Sequence, residues 1–515
     1  MRFLSKSLVA IFGILATPLF AQDLTYKDYK WEQKPILHKL NKADSSKFEI
    51  ILKDKLAIEY AFDDATGNLY EYQLKHRIIR VNSNDAIEEN NRVYLPLQNA
   101  NNLLITKARV IKPNGNIQEL DKGNIQEATD EENKRTYKYF AFEGIELGSE
   151  IEYLYLIKTD PNLAGQRLRL QDDVDKNDID VEIISPRNLV FDAKSLNGLK
   201  ELSIDTTSKT KNILQLHVDH IDNAKKELFA VYEPNLQQIH YKLQYNLLNS
   251  QKPLFSYNDV TERLFDMIYQ PLDNRLDKKE KSRRKKEKKL VKKFIKNIDL
   301  KNTTEGQKVR AIEDYIKGSF NVVDAPYPQL DEFAFIFEQK VGSEKGLTKL
   351  FVEVLSQLNI KHQLVLTSNR NAQKFDPKFE TYDGLQKYLI YIPSIKKHFS
   401  PTDTYARSEF IPHELSHNYG LYIEPIKIGN VQTALAKVKF IDALPADATI
   451  DKLSLNINFD ENTISKINID LNREINGYYA QYYQPYYDVV QQDAIKEINE
   501  SLVKYIGENI DVDDV

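Results

Sequence analysis

The chain has 515 residues, with 71 basic and 76 acidic side chains and a formal net charge of −5. At about 150 residues per domain, this length predicts about two to four domains, each with a core of its own. An apolar fraction of 41% with 30 tyrosines excludes a disordered chain, and the near-neutral charge gives no electrostatic reason to expect nucleic acid as a partner. The sequence contains no cysteine, which excludes disulfides, thiolate metal sites and a thiol nucleophile.

Residues 1–21 are typical of a secretory signal peptide. Arg2 and Lys6 precede the apolar run 8–16, and Ala21 offers a cleavage site before a polar stretch. The run is too short to span a bilayer as a helix, and no later apolar run is long enough. No cysteine follows the cleavage region, so we expect no anchor on an acylated N-terminal thiol. The sequence therefore predicts a periplasmic or secreted protein without a membrane-spanning segment after removal of the signal.

Alternating apolar and polar residues predict a β-rich domain over residues 24–235. The alternation is clear around Tyr70 to Ile78 and in 150–157, and turn signals such as Pro113-Asn-Gly115 separate the strands. Alternation interrupted by frequent turns is typical of an antiparallel β-sandwich.

Helical spacing replaces this alternation in a middle section, which we assign to residues 256–425. Thr304 to Gln307 has the pattern of a capping box, and it precedes apolar residues on one helix face. Alternation returns after about Asp451, which predicts a C-terminal β unit within 445–515. The predicted fold class is therefore α+β and multidomain.

A basic run covers residues 278–289. Aromatic side chains that could stack on bases are not interleaved with it, and secretion would separate it from nucleic acid. Leu290, Val291 and Phe294 continue the run as an amphipathic helix, which favours a solvated outer face. A surface for an acidic partner remains the alternative.

The stretch from Phe333 to Ile360, followed by the predicted strand 363–368, resembles the core of bacterial transglutaminase-like domains. In that family a Gly-Asp-Cys-Lys-Asp motif opens a helix that leads into a strand, and here Gly342 to Gly346 opens a helix with a buried apolar face. Segments 108–115 and 147–153 are similar to a domain of unknown function that commonly precedes this core in secreted proteins of Gram-negative bacteria. The resemblance implies a transglutaminase-like, papain-like α+β core between the β-sandwich and the C-terminal β unit.

The resemblance also assigns catalytic positions, and this chain has other residues at all of them. Such a centre needs a thiolate at a helix N-terminus, a histidine base and an acid that orients the histidine. Glu344 stands at the nucleophile, Lys387 at the histidine and Ser400 at the aspartate of an Asp-Pro-Thr motif. We therefore expect no catalytic residue and no cofactor here. We also expect a salt bridge between Glu344 and Lys387, the alternative being that both side chains point to solvent.

The segment His413-Glu414-Leu-Ser-His417 fits the zincin pattern His-Glu-x-x-His. A zinc site of this kind needs both histidines one turn apart on a helix, together with a third ligand. Pro412 immediately precedes the motif, and Ile423 stands where the longer metzincin pattern has its third histidine. An exposed loop is favoured, and a zinc-dependent protease or another hydrolase remains the alternative.

Two further groups of residues leave alternatives open. His217 and His220 lie near a predicted strand end with a spacing that could hold a metal, but the sequence indicates no third partner. The tyrosine pairs within 478–487 could pack in a half-buried β surface or form an aromatic platform.

Taken together, the sequence predicts a secreted cell-envelope protein whose non-catalytic transglutaminase-like domain binds a protein or peptide or acts as a scaffold. Nucleic acid is not expected as a partner. Peripheral association with a membrane complex stays open.

Overall fold

In the computed structural model, two compact units can be distinguished: Met1–Ser256 with Thr381–Asp383, and Tyr257–Glu380 with Gly384–Val515. The structure describes residues 24–63, 65–96, 100–120, 125–129, 136–272, 276–301, 303–408, 410–460, 463–481, 483, 487, 490, 492–504 and 511–513. The predicted signal peptide 1–21 lies outside the described residues, as do Tyr482 and Tyr486 of the tyrosine pairs.

The first unit is rich in strands, as the alternation predicts. Its elements are β1 (Glu49–Phe62), β2 (Leu69–Val81), β3 (Arg92–Leu95), β4 (Ala100–Ile111), β5 (Ile117–Leu120), β6 (Ile125–Thr129), β7 (Thr136–Ala141), β8 (Glu150–Thr159), β9 (Gln166–Arg169), β10 (Lys176–Pro186), β11 (Leu189–Leu196), β12 (Ser203–Ile204), β13 (Lys211–Ile221) and β14 (Gln238–Asn246), with the short helices α1 (Lys42–Ser45) and α2 (Asn84–Asn90). An eight-stranded sheet has the order β12-β13-β10-β1-β2-β8-β4-β5, and two three-stranded sheets have the orders β11-β14-β9 and β3-β7-β6.

The large sheet is mixed, whereas the alternation predicted a purely antiparallel sandwich. β1 and β10 pair in parallel, with Ala57 opposite Glu182, while β1 and β2 pair antiparallel. Alternation reveals which face of a sheet a side chain lies on, but it carries no information about the direction of the neighbouring strand. The expectation of an antiparallel domain was therefore wrong for this central pair.

Both small sheets share apolar clusters with the large sheet. Ile58 and Val181 of the large sheet pack with Tyr241 of β14 in one cluster. In a second cluster, Ile151 of β8 packs with Phe140 of β7. The first unit extends to Ser256, beyond the expected boundary at 235, because β14 is the central strand of the sheet β11-β14-β9.

The other face of the large sheet is covered by the segment 24–40. Ala57 lies on this face because it alternates with Ile58 along β1, and it packs in a cluster with Trp31 and Leu74. Polar contacts hold the segment as well: the backbone N–H of His38 donates to Glu150 at 2.9 Å.

A buried charge network lies beneath Trp31. The fully buried Arg109 donates from Nε to Oε2 of Glu152 at 2.5 Å, and Nε2 of His76 lies 2.8 Å from the other oxygen of this carboxylate. Arg109 also donates to the carbonyl of Glu32 at 2.8 Å, and its guanidinium carbon lies 4.1 Å from the centre of the Trp31 ring. A buried network of polar and charged groups thus joins the segment 24–40 to the large sheet.

The second unit combines helices with an antiparallel sheet. Its elements are α3 (Tyr257–Ile268), α4 (Lys278–Ile295), α5 (Glu305–Ser319), β15 (Asn321–Val322), α6 (Phe333–Gln339), β16 (Val341–Gly342), α7 (Glu344–Gln357), β17 (Gln363–Thr367), β18 (Lys387–Ile392), β19 (Lys397–Phe399), β20 (Asn418–Ile428), β21 (Val431–Ile441), β22 (Ile450–Asp460), β23 (Thr463–Asn476), α8 (Tyr478–Gln481) and α9 (Gln492–Lys504). A five-stranded sheet has the order β19-β18-β17-β20-β21. The predicted α+β, multidomain class is confirmed.

The helices of the second unit begin and pack as their sequences indicate. The capping box at Thr304 and Gln307 is confirmed at the start of α5. α7 is buried along most of its length, and Phe351 on this helix lies 5.3 Å from Phe399 of β19, measured between ring centres. Among the described helices, none combines the length and the hydropathy needed to cross a bilayer.

The C-terminal region forms a long hairpin followed by helices. β22 and β23 pair antiparallel with Leu455 opposite Leu471, so the alternation predicted after Asp451 is confirmed as strands. Tyr478 and Tyr479 open the short helix α8 and do not lie in a strand.

We predict that Arg109→Ala destabilises the first unit by about 3–5 kcal/mol, because removing one partner of a buried ion pair leaves the other charge uncompensated. Urea unfolding followed by the fluorescence of Trp31, the single tryptophan, measures this. In the matched control Lys138→Ala, an ion pair with Glu127 is lost whose two side chains are 49% and 58% exposed, and the expected cost is under about 1 kcal/mol. Equal losses of unfolding free energy in the two variants would contradict a stabilising role of the buried network around Arg109.

Candidate functional site

The N-terminus of α7 is tied to the segment that contains Asp331. Ser343 caps the helix, because its hydroxyl accepts a hydrogen bond from the backbone N–H of Gly346 at 2.9 Å. The same hydroxyl forms a short hydrogen bond to Asp331, which also makes a close ion pair with Lys345. The backbone N–H of Ser343 donates to the carbonyl of Leu330 at 3.0 Å. Ser343 is thus a capping residue whose hydroxyl is already engaged.

Glu344 and Lys387 lie next to each other, as the family resemblance implies. Glu344 is the first residue of α7, Lys387 is the first residue of β18, and Nζ of the lysine lies 4.0 Å from Oε2 of the glutamate. This distance is an ion pair at its outer limit and too long for a direct hydrogen bond. The alternative, in which both side chains point to solvent without meeting, is not found.

The carboxylate of Glu344 is more enclosed than its lysine partner. Its side chain is 29% exposed, against 52% for Lys387. Burial raises the pKa of Glu344, and the charge of Lys387 and a hydrogen bond from the backbone of Tyr388 offset this only in part. Desolvation therefore dominates the electrostatics of this position.

Ser400 directly follows the neighbouring strand β19 and lies outside this pair. It is buried directly after β19, and its hydroxyl accepts a long hydrogen bond of 3.4 Å from the backbone N–H of Asp403. Within the part of the chain that the structure describes, Ser400 makes no hydrogen bond or ion pair with Glu344 or Lys387. Of the three aligned positions, two are in contact and the third serves the turn that follows β19.

Gly346 shows why an acid is missing from the end of the aligned motif. A Cβ atom at this position would lie 2.2 Å from the carbonyl oxygen of Leu330 and 3.1 Å from Cα of Asp331. The segment at 330–331 approaches the first turn of α7 so closely that no side chain fits. The sequence contains the glycine, but it gives no sign of this approach.

The sequence did not indicate a half-buried histidine in the five-stranded sheet. Nε2 of His398 lies 2.7 Å from the hydroxyl of Tyr422, and the Tyr391 ring lies 4.6 Å from the imidazole ring. Burial, together with the charge of Lys439, lowers the pKa of His398 to about 4, so this imidazole is neutral at pH 7. The pairing of β18 with β19 places His398 opposite Tyr391, whereas Tyr422 belongs to β20, which pairs with β17.

The zincin alternative requires a helix that the structure does not form. A single 3-10 turn covers His413–Leu415, and β20 begins already at Asn418. His413 packs against the ring of Tyr478, whereas His417 has a left-handed backbone with φ of 48°. The two histidines therefore do not lie one helical turn apart, which is the geometry that a zinc site of this type needs.

The pairing of β10 with β13 supplies carboxylates beside His217 and His220, which the sequence did not indicate. Asp180 lies opposite His217, with Oδ1 at 2.9 Å from Nδ1, and Asp219 lies 3.1 Å from Nε2. These hydrogen bonds raise the pKa of His217. Two groups have atoms close enough together to share an ion: Asp178, Asp180 and His217, and Asp175, His220 and Asp222. Because both ring nitrogens of His217 face a carboxylate, a protonated imidazole in two ion pairs accounts for this arrangement.

Part of the first unit matches a known family model. Residues 70–223 match the family model described as "Domain of Unknown Function with solved-structure structure (DUF3857)", a stretch from β2 to just beyond β13. The resemblance of the N-terminal region to a domain of unknown function is therefore confirmed for these residues. No curated protein matches the chain.

Two solved structures show weak likeness. A crystal structure from Parabacteroides distasonis ATCC 8503, described as a "putative protease", has 13% identity and a TM-score of 0.49, covering 80% of this chain and 77% of that one. An M1 zinc metallopeptidase from Deinococcus radiodurans has 8% identity and a TM-score of 0.22, covering 45% of this chain and 57% of that one. Both TM-scores lie below 0.5, and neither likeness bears on activity.

We predict that Gly346→Ala destabilises the second unit by about 1–3 kcal/mol, because the added methyl group overlaps a backbone carbonyl. Thermal unfolding followed by circular dichroism at the helical band measures the loss. Gly318→Ala in α5 is the matched control, since nothing lies within 4 Å of its Cβ position. The control should be neutral or stabilising by up to about 1 kcal/mol. A neutral Gly346→Ala would show that the approach at 330–331 is not rigid.

We predict that Glu344→Gln stabilises the protein at pH 7 and that the gain disappears on acidification. A raised pKa means that the folded state favours the protonated acid, so the ionised carboxylate carries a cost above its folded pKa. Below the ordinary carboxyl range both states are neutral and the cost is absent. Thermal midpoints from pH 4 to pH 8 measure the difference, with Glu338→Gln at an exposed position as the matched control. A lower midpoint for Glu344→Gln at pH 7 would contradict dominant desolvation.

Proposed function

We propose that this chain is a secreted cell-envelope protein whose transglutaminase-like domain is non-catalytic and binds a protein or peptide. The observation that carries the proposal is the ion pair of Glu344 and Lys387 at the N-terminus of α7. The resemblance assigns the nucleophile and the base of the family to these two positions.

The chemistry of the pair supports binding over acyl transfer. Acyl transfer by this fold needs a thiolate activated by a helix N-terminus and an imidazole that accepts and returns its proton. The chain has no cysteine, and a glutamate beside a lysine supplies neither group. Ser343, the residue before Glu344, has its hydroxyl occupied as a helix cap.

The same pair can recognise a polypeptide. Lys387 is half exposed and lies 4.0 Å from its partner, so its ammonium keeps donors for a carbonyl or carboxylate of a ligand. Glu344 can accept a hydrogen bond from a backbone N–H. Partner recognition through one donor and one acceptor at a helix N-terminus fits an extended peptide.

Two further observations support a function in the cell envelope. Residues 1–21 have the pattern of a secretion signal. The match of residues 70–223 supports an N-terminal domain of the kind that precedes transglutaminase-like cores in secreted proteins.

The non-catalytic part of the proposal is tested with the purified full-length protein. Incubation with casein and a fluorescent primary amine should give neither amine incorporation nor cleavage products above a buffer control. Either activity, if it is lost in Lys387→Ala and retained in Lys361→Ala, would overturn the proposal.

The binding part is tested by photo-crosslinking in the native cell envelope. A photoreactive amino acid replaces Lys387 in one variant and the exposed Lys361 in the control. We expect a discrete crosslinked polypeptide from position 387 that is absent from position 361. Identical patterns, or no crosslink from position 387, would contradict partner binding at this site.

A further inference from the structure

The outer face of α4 carries a stripe of lysines. The helix has 18 residues, from Lys278 to Ile295, and is therefore about 27 Å long at 1.5 Å per residue. At 100° per residue, the stripe spans an arc of about 160°. We call this set the lysine stripe: Lys278, Lys279, Lys281, Lys285, Lys286, Lys289, Lys292, Lys293 and, at the helix C-cap, Lys296.

The opposite face of α4 fixes the helix to the second unit. Its buried residues are Glu287, Val291 and Phe294. Phe294 packs with its ring centre 5.1 Å from that of Tyr315 and 5.1 Å from that of Phe337. The lysine stripe therefore points away from the packed side, and all its members except the half-buried Lys281 are exposed.

The carboxylates around α4 neutralise other cations and leave the stripe unpaired. Glu280 pairs with Arg283 and Arg284, and Glu353 of α7 pairs with Lys288 at 2.7 Å. Among the described residues, no carboxylate oxygen lies within 4.0 Å of a lysine nitrogen of the stripe.

An unpaired stripe has a cost that a merely solvated face would avoid. Like charges three or four residues apart, such as Lys285 and Lys289, destabilise a helix. Solvated protein surfaces commonly mix charges of both signs, and the chain as a whole is acidic, with a net charge of −5. A concentration of one sign on one face of a fixed helix instead favours an anionic partner.

We propose that the lysine stripe of α4 docks the protein on an anionic membrane surface. Lysine ammonium groups on flexible stems suit many diffuse phosphate headgroups, whereas bidentate recognition of single phosphates favours arginine. The arc of about 160° presents its charges to a flat surface. The stripe contains no aromatic residue for stacking on bases, so a membrane is favoured over a nucleic acid. The proposal does not depend on the function of the Glu344 and Lys387 pair.

The attraction is electrostatic and follows from the charge alone. Each lysine near an anionic bilayer contributes about 1 kcal/mol, which corresponds to about fivefold in partitioning. The stripe has no apolar residue to insert, so salt should abolish binding.

Co-sedimentation of the full-length protein with lipid vesicles tests the proposal. One set of vesicles contains phosphatidylcholine only, and the other contains equal parts of phosphatidylcholine and phosphatidylglycerol. At 50 mM salt we expect binding to the anionic vesicles only, and release at 500 mM salt. Failure of the protein to sediment with the anionic vesicles at low salt would overturn the proposal.

Two charge-matched variants locate the contact. The stripe variant combines Lys285→Gln, Lys289→Gln, Lys292→Gln and Lys296→Gln, and the control combines Lys200→Gln, Lys209→Gln, Lys225→Gln and Lys361→Gln. The stripe variant should lose at least about 10-fold in partitioning, and the control should lose much less. Equal losses would overturn the assignment to α4, and circular dichroism checks that both variants keep their helices. Binding to a DNA duplex that is tighter than to the vesicles at the same salt would overturn the choice of a membrane.

Discussion

The approach of the segment at 330–331 to the N-terminus of α7 determines the chemistry of the candidate site. The carbonyl of Leu330 accepts from Ser343 and at the same time occupies the space that a side chain at position 346 would need. Asp331 forms a hydrogen bond with the hydroxyl of Ser343 and an ion pair with the ammonium group of Lys345. With both flanks of the helix start engaged in this way, Glu344 is the residue left to face β18, and its partner there is Lys387. The geometry of the pair thus follows from backbone packing rather than from the two charges.

Charge burial takes two different forms in the two units. In the first unit, one carboxylate oxygen of Glu152 accepts from Arg109 and the other lies within hydrogen-bond distance of His76, and an aromatic ring closes the cluster. In the second unit, Glu344 has one partner at the limit of ion pairing and keeps a raised pKa. Full compensation is typical of a structural network, whereas incomplete compensation leaves a group able to interact with something else.

The sequence predicted the elements that depend on local pattern. The capping box at Thr304, the buried helix α7 and the strands after Asp451 all follow from periodicity and cap chemistry. The meeting of Glu344 with Lys387 was predicted through a family resemblance and not from spacing. Contacts between residues that are distant in sequence could not be predicted from local pattern. Examples are the parallel direction of β10, the carboxylate of Asp180 beside His217, and the carbonyl of Leu330 close to Gly346. The His-Glu-x-x-His pattern failed for a related reason, because a motif fixes residue types but the strand that starts at Asn418 leaves no room for a helix.

The parallel pairing of β1 with β10 has a consequence for how the chain acquires its structure. Ile51 pairs with Lys176, so the centre of the large sheet joins two segments that are synthesised far apart. β2 follows β1 directly and can form a hairpin at once, but the other edge of β1 stays open until β10 has been made. Pairings between distant segments slow folding, and an open strand edge is a site for aggregation until it is covered. A chain with this topology gains from being held unfolded until its first unit is complete.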